Sequence, residues 1–288
     1  MKSSVAFVLV TYNRLQSLQR VLEAVASYEW DYDQFVIIDN CSTDGTAAYL
    51  QEQNRQQRFH LIRTERNIGH GAALARAFAW LQQHAAADWY ITLEDDSIPD
   101  SSLPGILLKA ITDSAFDFIS PAGYFVSTGK RVFVVNETDV PVEAQFGIFD
   151  GSILRASILP HTGLPEQHWF MMFDDYEFCY RMIWNGYRIG VIRNDFHTIL
   201  HHGGGERFSK ASIWRGYYHA RNHTLFLKKY FSLNILLDYL LIQGKTVVGL
   251  LAAPDRWRRI GLRFKGMWHG LVGKEGFTLD PGTMRFVK

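Results

Sequence analysis

The chain has 288 residues, of which 47% are hydrophobic and 20% are charged, enough for one large packed domain or a domain with an appendage. Its formal net charge of +1 argues against a broad electrostatic surface for nucleic acid, so we expect no nucleic-acid partner. The two cysteines, Cys41 and Cys179, lie far apart in the sequence, which argues against a disulfide framework and fits a reducing compartment.

The N-terminal apolar segment, residues 5–10, is predicted to be a buried strand and not a secretory signal. It is too short for the core of a signal peptide, and no small-residue cleavage site follows it. We therefore expect a cytoplasmic protein.

Three more apolar runs follow the first and have the same character. Buried parallel strands are continuous apolar stretches, in contrast to the alternating pattern of half-exposed strands. Between the runs, apolar residues recur at helical spacing. This alternation predicts an α/β fold with a mostly parallel sheet and right-handed crossovers. The four predicted strands are residues 5–10, 35–39, 59–63 and 89–93.

A polar segment follows each of the four predicted strands. In an open parallel sheet the carboxyl ends of the strands meet at one edge, where ligands bind. Loops are usually polar, but four at one sheet edge, one of them triply acidic, favour a common binding cleft. The segments are residues 11–14, 39–45, 64–71 and 94–97.

The acidic triplet of Glu94, Asp95 and Asp96 directly follows the fourth strand. Carboxylates with no neighbouring Lys or Arg in the sequence suit a hard divalent cation, Mg²⁺ or Mn²⁺. Mg²⁺ usually takes one or two protein carboxylates and completes its shell with water and substrate phosphates, so the triplet points to a phosphorylated ligand. The alternative is a solvated acidic turn before Pro99.

A second acidic site, with Asp174, Asp175 and Glu177, interrupts an apolar and aromatic stretch. Burial among aromatic rings raises the pKa of a carboxylate, which prepares it to act as a general base. We predict that Asp174 or Asp175 takes a proton from an acceptor. The structural alternative is that these acids begin a helix, with one of the two aspartates as its cap.

Two adjacent histidines, His201 and His202, precede three glycines. Imidazole is a borderline ligand for Mn²⁺ or Mg²⁺, and glycines let the backbone approach a ligand closely. The pair therefore indicates a further part of the site and not a structural histidine.

The pattern turns helical near residue 208, which predicts a catalytic domain of residues 1–207 and a helical region of residues 208–288. Residues 233–253 are apolar but contain charges, which argues against a membrane-spanning helix. Residues 255–270 interleave basic and aromatic residues, as in an amphipathic helix on an anionic membrane surface. The alternatives are a helix packed on the catalytic domain and a contact between subunits.

Several segments, in this order, resemble family 2 inverting glycosyltransferases with the A-type fold. Each segment is weakly specific, whereas the ordered set, which covers roughly the first three quarters of the chain, is strongly specific. The resemblance implies a Rossmann-like nucleotide-sugar-binding fold with a mostly parallel sheet and a helical C-terminal appendage. The segments are LVTYNR, IIDNCSTDGT, RNIGHGAALARA, LEDDSIP, FDDYEFCYRMIWNGYRI and LHHGG.

Within that family, the segments FDDYEFCYR and YYHARNHTLFLKKY look most like the branch that transfers galactofuranose from its UDP donor. The branch that uses dTDP-rhamnose is also similar. The resemblance implies metal-dependent, inverting transfer to a hydroxyl of a growing bacterial surface glycan, with Mn²⁺ or Mg²⁺ as cofactor. A lipid-linked acceptor would explain peripheral contact with the cytoplasmic face of the inner membrane.

The resemblance also implies roles for individual residues. Asp175 would be the base. Asp96 would coordinate the metal, helped by Glu94 or Asp95, with His201 as a further ligand. Glu94 stands where the galactofuranosyl branch usually has aspartate, so its direct coordination stays open. The residues implied to contact the nucleotide sugar are Thr11, Arg14, Asp39 (at the uracil edge), Asn67 and Asp95.

The two acidic sites fit one mechanism. A cation at residues 94–96 would neutralise the diphosphate leaving group, while a carboxylate at 174–175 deprotonates the hydroxyl that attacks from the opposite face. A non-catalytic nucleotide-sugar-binding assembly subunit would not need such a base. A nucleotidyltransferase usually needs a Gly-rich basic phosphate loop near the N-terminus, which residues 10–17 do not supply.

Overall fold

A computed structural model describes residues 4–28, 30–195, 197–200, 208–209 and 213–287. Within these residues, eight strands form one central sheet in the order β3-β2-β1-β4-β11-β6-β12-β9. The strands are numbered along the chain. They are β1 Val5–Thr11, β2 Gln34–Asp39, β3 His60–Arg63, β4 Trp89–Glu94, β5 Ser97–Pro99, β6 Phe118–Ser120, β7 Gly123–Ser127, β8 Lys130–Phe133, β9 Val142–Ala144, β10 Phe146–Gly147, β11 Ser152–Arg155, β12 Ile189–Val191 and β13 His197–Ile199.

The helices lie on both faces of this sheet and in the C-terminal region. They are α1 Leu15–Ser27, α2 Thr46–Gln53, α3 His70–His84, α4 Leu103–Thr112, α5 Leu159–Thr162, α6 Asp174–Trp184, α7 Ile213–Lys229, α8 Leu233–Leu250 and α9 Arg256–Leu271.

The four strands predicted from the sequence are confirmed, and they pair in parallel as β3-β2-β1-β4. The other half of the sheet is mixed. Strand β11 runs antiparallel to both β4 and β6, β12 is parallel to β6, and β9 is an antiparallel edge. Two small sheets, β10-β7-β8 and β13-β5, stand beside the main sheet. The prediction of a mostly parallel α/β sheet is therefore confirmed.

Both faces of the parallel strands are covered, which explains their continuous apolar sequence. Val8 of β1 packs in a cluster with Phe78 of α3 and Phe178 of α6. Its neighbour Phe7 points to the opposite face and packs with Leu18 of α1. Because successive side chains of a strand alternate between faces, a strand buried on both sides must be apolar at every position.

The C-terminal region is helical, as predicted. Helix α7 crosses α9 closely, and glycines of α9 make this possible. A Cβ on Gly266 would lie 2.4 Å from the carbonyl oxygen of Tyr217, and one on Gly270 would lie 2.6 Å from that of Arg221. Any larger residue there would force the two helices apart. The division at residues 207 and 208 stays a prediction.

Among the helices of the described residues, one is long and apolar enough to cross a membrane, and this helix is α8. Only 11% of its 18-residue apolar window is buried in the protein. Length and composition alone are weak grounds for a membrane span, because core helices pass the same test.

Candidate active site

The polar segments that follow the parallel strands meet at one edge of the sheet, as predicted. Strand register puts Val10 beside Glu94 and Thr11 beside Asp39. All four segments contribute to one cavity of about 220 Å³. Its lining includes Tyr12 and Arg14 after β1, Asn40 after β2, Asn67 and His70 after β3, and Glu94 and Asp95 at the end of β4.

A larger cleft of about 1120 Å³ adjoins this cavity, and Tyr12, Asn67 and Phe170 line both. Asn67, a predicted nucleotide contact, thus lies at their junction. Its Oδ1 accepts hydrogen bonds from the Asn40 side chain at 3.0 Å and the Gly69 amide at 2.9 Å. Ligand pockets usually enclose roughly 300–1,000 Å³, so the larger cleft alone has room for a nucleotide-sized ligand.

The carboxylates of Glu94, Asp95 and Asp96 each offer an oxygen within 4.8 Å of the others. Asp95 is buried and accepts a hydrogen bond from the Tyr12 amide at 3.2 Å. Burial raises the pKa of Asp95 to about 7, although the nearby Arg14 charge opposes the shift. Carboxylates crowded and desolvated in this way favour either a proton or a cation.

Arg14 supplies a positive charge to the triplet that the local sequence does not show. Its Nη1 lies 2.9 Å from Asp96 Oδ2, and its Nε lies 3.4 Å from Asp95 Oδ1. The residue predicted to contact the nucleotide is therefore in direct contact with the predicted metal ligands. A phosphate bound beside the triplet would lie within reach of this guanidinium.

His70 connects the two acidic sites. Its Nε2 lies 3.2 Å from Glu94 Oε1 and its Nδ1 lies 2.7 Å from Asp174 Oδ2. Burial acts to lower the pKa of His70, but the two carboxylates outweigh it and raise the pKa well above its ordinary value. Likewise, burial acts to raise the pKa of Glu94, and the His70 charge brings it below its usual range. An imidazolium held between two carboxylates joins strand β4 to helix α6.

Asp174 and Asp175 occupy the first turn of α6 but differ in environment. Asp174 is buried and is held by His70. Asp175 is half-buried, and its Oδ1 accepts a hydrogen bond from the Phe149 amide at 3.2 Å. Burial, aided by the Asp174 charge, raises the pKa of Asp175 to about 8. A group with this pKa is mostly protonated at neutral pH and is a strong base once ionised, and the role of Asp175 as the base stays a prediction.

Asp150 is a further, half-buried carboxylate that the sequence did not predict. The Ser97 hydroxyl donates to its Oδ2 at 2.8 Å. This bond to Ser97, the residue after Asp96, places Asp150 beside the triplet, and burial and the Glu94 charge raise its pKa to about 7. Asp150 follows a short strand and belongs to no recognisable motif. The only sequence signal for it is its position directly before Gly151.

Two residues of α7, Trp214 and Arg215, also line the smaller cavity and were not predicted. Burial lowers the pKa of Arg215, and the nearby Arg14 charge adds to that shift. Arg215 therefore brings a second guanidinium near Arg14 and Asp96. In the sequence, Trp214 and Arg215 belong to a helical apolar pattern in the C-terminal region. Such a pattern predicts packing and does not indicate a binding role.

Thr11 and Asp39 are almost completely buried. Asp39 Oδ1 accepts from the Ser42 amide at 2.9 Å, and its Oδ2 pairs with Arg63 Nε at 3.2 Å. Neither residue belongs to the lining of the two cavities in the described part of the chain. Their contacts with a nucleotide stay predictions. His201, the predicted metal ligand, lies outside the described residues.

The segment before the base helix has an unusual backbone. Phe170, Met172 and Phe173 have φ values of 59°, 70° and 76°, in the left-handed region that non-glycine residues rarely adopt. The amide of His70 donates to the Phe170 carbonyl at 3.1 Å. Gly69 permits this approach, because a Cβ there would lie 1.7 Å from the same oxygen.

Asn222 of α7 holds this segment from the other side. Its buried side-chain amide donates to the carbonyls of Trp169, Met171 and Met172 at 2.9, 2.7 and 2.8 Å. Asn222 therefore has a structural task, which is to fix the strained backbone that precedes Asp175.

We predict that Asn222→Leu destabilises the protein by roughly 3 kcal/mol or more, because an unsatisfied buried carbonyl costs about 1–3 kcal/mol. Urea unfolding followed by tryptophan fluorescence would measure the loss. Asn185→Ala is the matched control, since this asparagine donates to the Arg181 carbonyl at an exposed helix end. Equal midpoints for the two variants would contradict the structural role of Asn222.

The family model described as "Glycosyl transferase family 2" matches residues 6–177. Over 294 aligned residues the chain is 24% identical to the galactofuranosyltransferase GlfT1 of Mycolicibacterium smegmatis, covering 94% of this chain and 90% of that protein. It is 26% identical over 105 residues to the poly-beta-1,6-N-acetyl-D-glucosamine synthase of Staphylococcus epidermidis. That match covers 36% of this chain and only 24% of the synthase.

Solved structures show the same fold at low sequence identity. The mannosyltransferase PcManGT from Pyrobaculum calidifontis, in complex with GDP-Man and Mn²⁺, has a TM-score of 0.59 at 14% identity, over 95% of this chain and 76% of that one. GalNAc-T7 with UDP, GalNAc and Mn²⁺ has a TM-score of 0.65 at 14% identity, over 94% of this chain and 56% of that one. These likenesses establish the A-type glycosyltransferase fold.

Proposed function

The chain belongs to glycosyltransferase family 2 and is a glycosyltransferase, and we propose that it serves bacterial glycan synthesis by transferring galactofuranose from UDP-galactofuranose to a glycan hydroxyl with inversion. One observation carries the mechanism, namely that His70 contacts a carboxylate of each acidic site. The site that binds the leaving group and the base must act on the same anomeric carbon, so they must lie close together. Here only the imidazole of His70 lies between Glu94 of one acidic site and Asp174 of the other. The choice of donor rests on the likeness to GlfT1, which extends over nearly the whole of both chains.

Asp175 is the proposed base. It takes the proton of the acceptor hydroxyl while that oxygen forms a bond to the anomeric carbon of the donor sugar. The bond from this carbon to the diphosphate breaks, and the nucleoside diphosphate leaves with the electron pair. Attack on the face opposite the diphosphate inverts the anomeric centre. The raised pKa makes the ionised form of Asp175 a stronger base than an ordinary aspartate, which supports this role.

The residues at the end of β4 fit a divalent cation, because three carboxylates lie together beside a cavity. We propose Asp96 as a ligand of Mn²⁺ or Mg²⁺, with Glu94 and His201 as further ligands. Leu200, next to His201 in the chain, donates its amide to the Asp96 carbonyl at 2.7 Å, which supports this choice. When bound, the cation would neutralise the diphosphate charge. The guanidinium of Arg14 would bind the same phosphates.

A panel of nucleotide sugars tests the donor. In the presence of Mn²⁺, UDP-galactofuranose should raise the melting temperature by several degrees, because a ligand at 100 times its Kd adds about 2.7 kcal/mol to stability. Mass spectrometry of acceptor glycans would then detect transfer. Stabilisation and transfer with dTDP-rhamnose, and none with UDP-galactofuranose, would make this protein a rhamnosyltransferase. Binding without transfer for every donor and acceptor tried would contradict the proposed transfer and favour a non-catalytic nucleotide-sugar-binding subunit.

The proposed acceptor is a growing surface glycan, free or lipid-linked. We further propose that the protein is cytoplasmic, that residues 1–207 form its catalytic domain and that residues 208–288 contact the inner membrane peripherally. The long uncovered helix α8 supports such contact.

A further inference from the structure

Helix α8 turns a row of apolar side chains to solvent. Leu233, Leu237, Leu240 and Val248 are 77%, 50%, 56% and 67% exposed, and their spacing places them on one side of the helix. The opposite side is polar at its centre and packs inward. Gln243 Nε2 lies 3.0 Å from His223 Nδ1 in α7.

Helix α9 has the same arrangement. Trp257, Phe264 and Trp268 are 72%, 54% and 62% exposed and recur at intervals of seven and four residues along one side. The other side, with Gly266 and Gly270, is buried, and both glycines pack against α7. We call these two rows the C-terminal apolar face. It consists of Leu233, Leu237, Leu240, Val248, Trp257, Phe264 and Trp268.

The charges beside this face identify its partner. Residues 251–272 contain five Arg or Lys and one acidic residue, Asp255, which is already paired with Arg259 at 2.5 Å. Arg256, Arg258 and Lys265 are exposed. Tryptophan and basic side chains around an apolar surface suit the interface of an anionic lipid bilayer, where rings sit at headgroup depth and cations meet lipid phosphates.

We infer that the C-terminal apolar face binds the surface of an anionic lipid bilayer, with α8 and α9 lying in the interface. Polar contacts on α8 argue against a span. Asp238 accepts from the Gly129 amide at 2.6 Å, and Lys245 Nζ donates to the Gly129 carbonyl at 3.1 Å, so the turn between β7 and β8 holds the middle of the helix. Crossing a bilayer would break both contacts and bury both charges in hydrocarbon.

This surface deepens the proposed function, because it would bring the enzyme to lipid-linked acceptors. Helix α7 carries Trp214 and Arg215 into the smaller cavity and also forms the support on which α9 packs. The membrane contact and the active site therefore share one rigid helix. Membrane binding nevertheless needs no donor, metal or base, so it can be tested apart from transfer.

Flotation of the full chain with vesicles tests the inference. Binding should be strong with phosphatidylcholine–phosphatidylglycerol vesicles, weak with phosphatidylcholine alone, and reduced by salt. The double variant Trp257→Ser with Trp268→Ser, and the double variant Arg256→Glu with Arg258→Glu, should each lower the partition coefficient on the order of tenfold or more.

Two controls match these variants. Arg20→Glu with Arg58→Glu reverses two exposed arginines of the N-terminal half, and Val140→Ser removes an exposed apolar side chain of the catalytic domain. Both should bind vesicles like the parent chain, and circular dichroism should be the same for all variants. Equal flotation of the tryptophan variant and the parent would overturn the inference. The inference would also be overturned if the parent chain did not bind vesicles and formed a dimer that was lost in the tryptophan variant. The partner of the C-terminal apolar face would then be a second copy of the chain.

Discussion

Asp175→Asn should abolish transfer and leave donor binding intact. The amide keeps the shape of the side chain and can still meet the Phe149 amide through its carbonyl oxygen, but it cannot take a proton. Loss of a general base typically costs 10²–10⁴-fold in rate. We therefore expect kcat to fall by about that factor while the Kd for the nucleotide sugar, measured by calorimetry with Mn²⁺, changes little.

The pH profile gives a second measure of the same role. Asp175 must be ionised to accept a proton, so kcat/KM of the parent enzyme should fall as the pH is lowered through the pKa of this group in the free protein, about 8. Asp174→Asn is the matched control, because its carboxylate is held by His70 and does not act as the base. If Asp174→Asn stops the reaction and Asp175→Asn does not, the two roles are reversed.

Asp96→Asn should remove the response to Mn²⁺. An amide is a poorer ligand than a carboxylate for a hard cation and contributes no charge. Stabilisation of a leaving group by a bound metal is worth several kcal/mol, so transfer should fall on the order of 10²–10³-fold. Thermal unfolding with donor, with and without Mn²⁺, would show the loss of metal-dependent stabilisation directly.

Asp95→Asn provides the comparison within the triplet. Asp95 is buried against the Tyr12 amide, and its raised pKa already favours the neutral form, so an amide should replace it with a smaller effect. We expect this variant to keep its response to Mn²⁺. If Asp96→Asn kept its full response to Mn²⁺ and Asp95→Asn lost it, the metal ligand would be Asp95 and not Asp96.

Some features could be predicted because they depend on residues close together in the chain. A strand that is covered on both faces needs a continuous apolar run, such as residues 5–10 of β1. The prediction of the parallel half of the sheet was therefore correct. The acidic triplet stands out because it follows such a run directly. Asp174 and Asp175 stand out because they interrupt an aromatic stretch.

The sequence by itself therefore determined the fold class, the edge of the sheet where the site lies and the two groups of carboxylates. Only the tertiary structure decided how those carboxylates differ. Arg14 reaches Asp96 across 82 positions in the chain and His70 reaches Asp174 across 104, and no local pattern encodes such pairs. The protonation of a carboxylate depends on the charges and the solvent around it, and folding alone sets both.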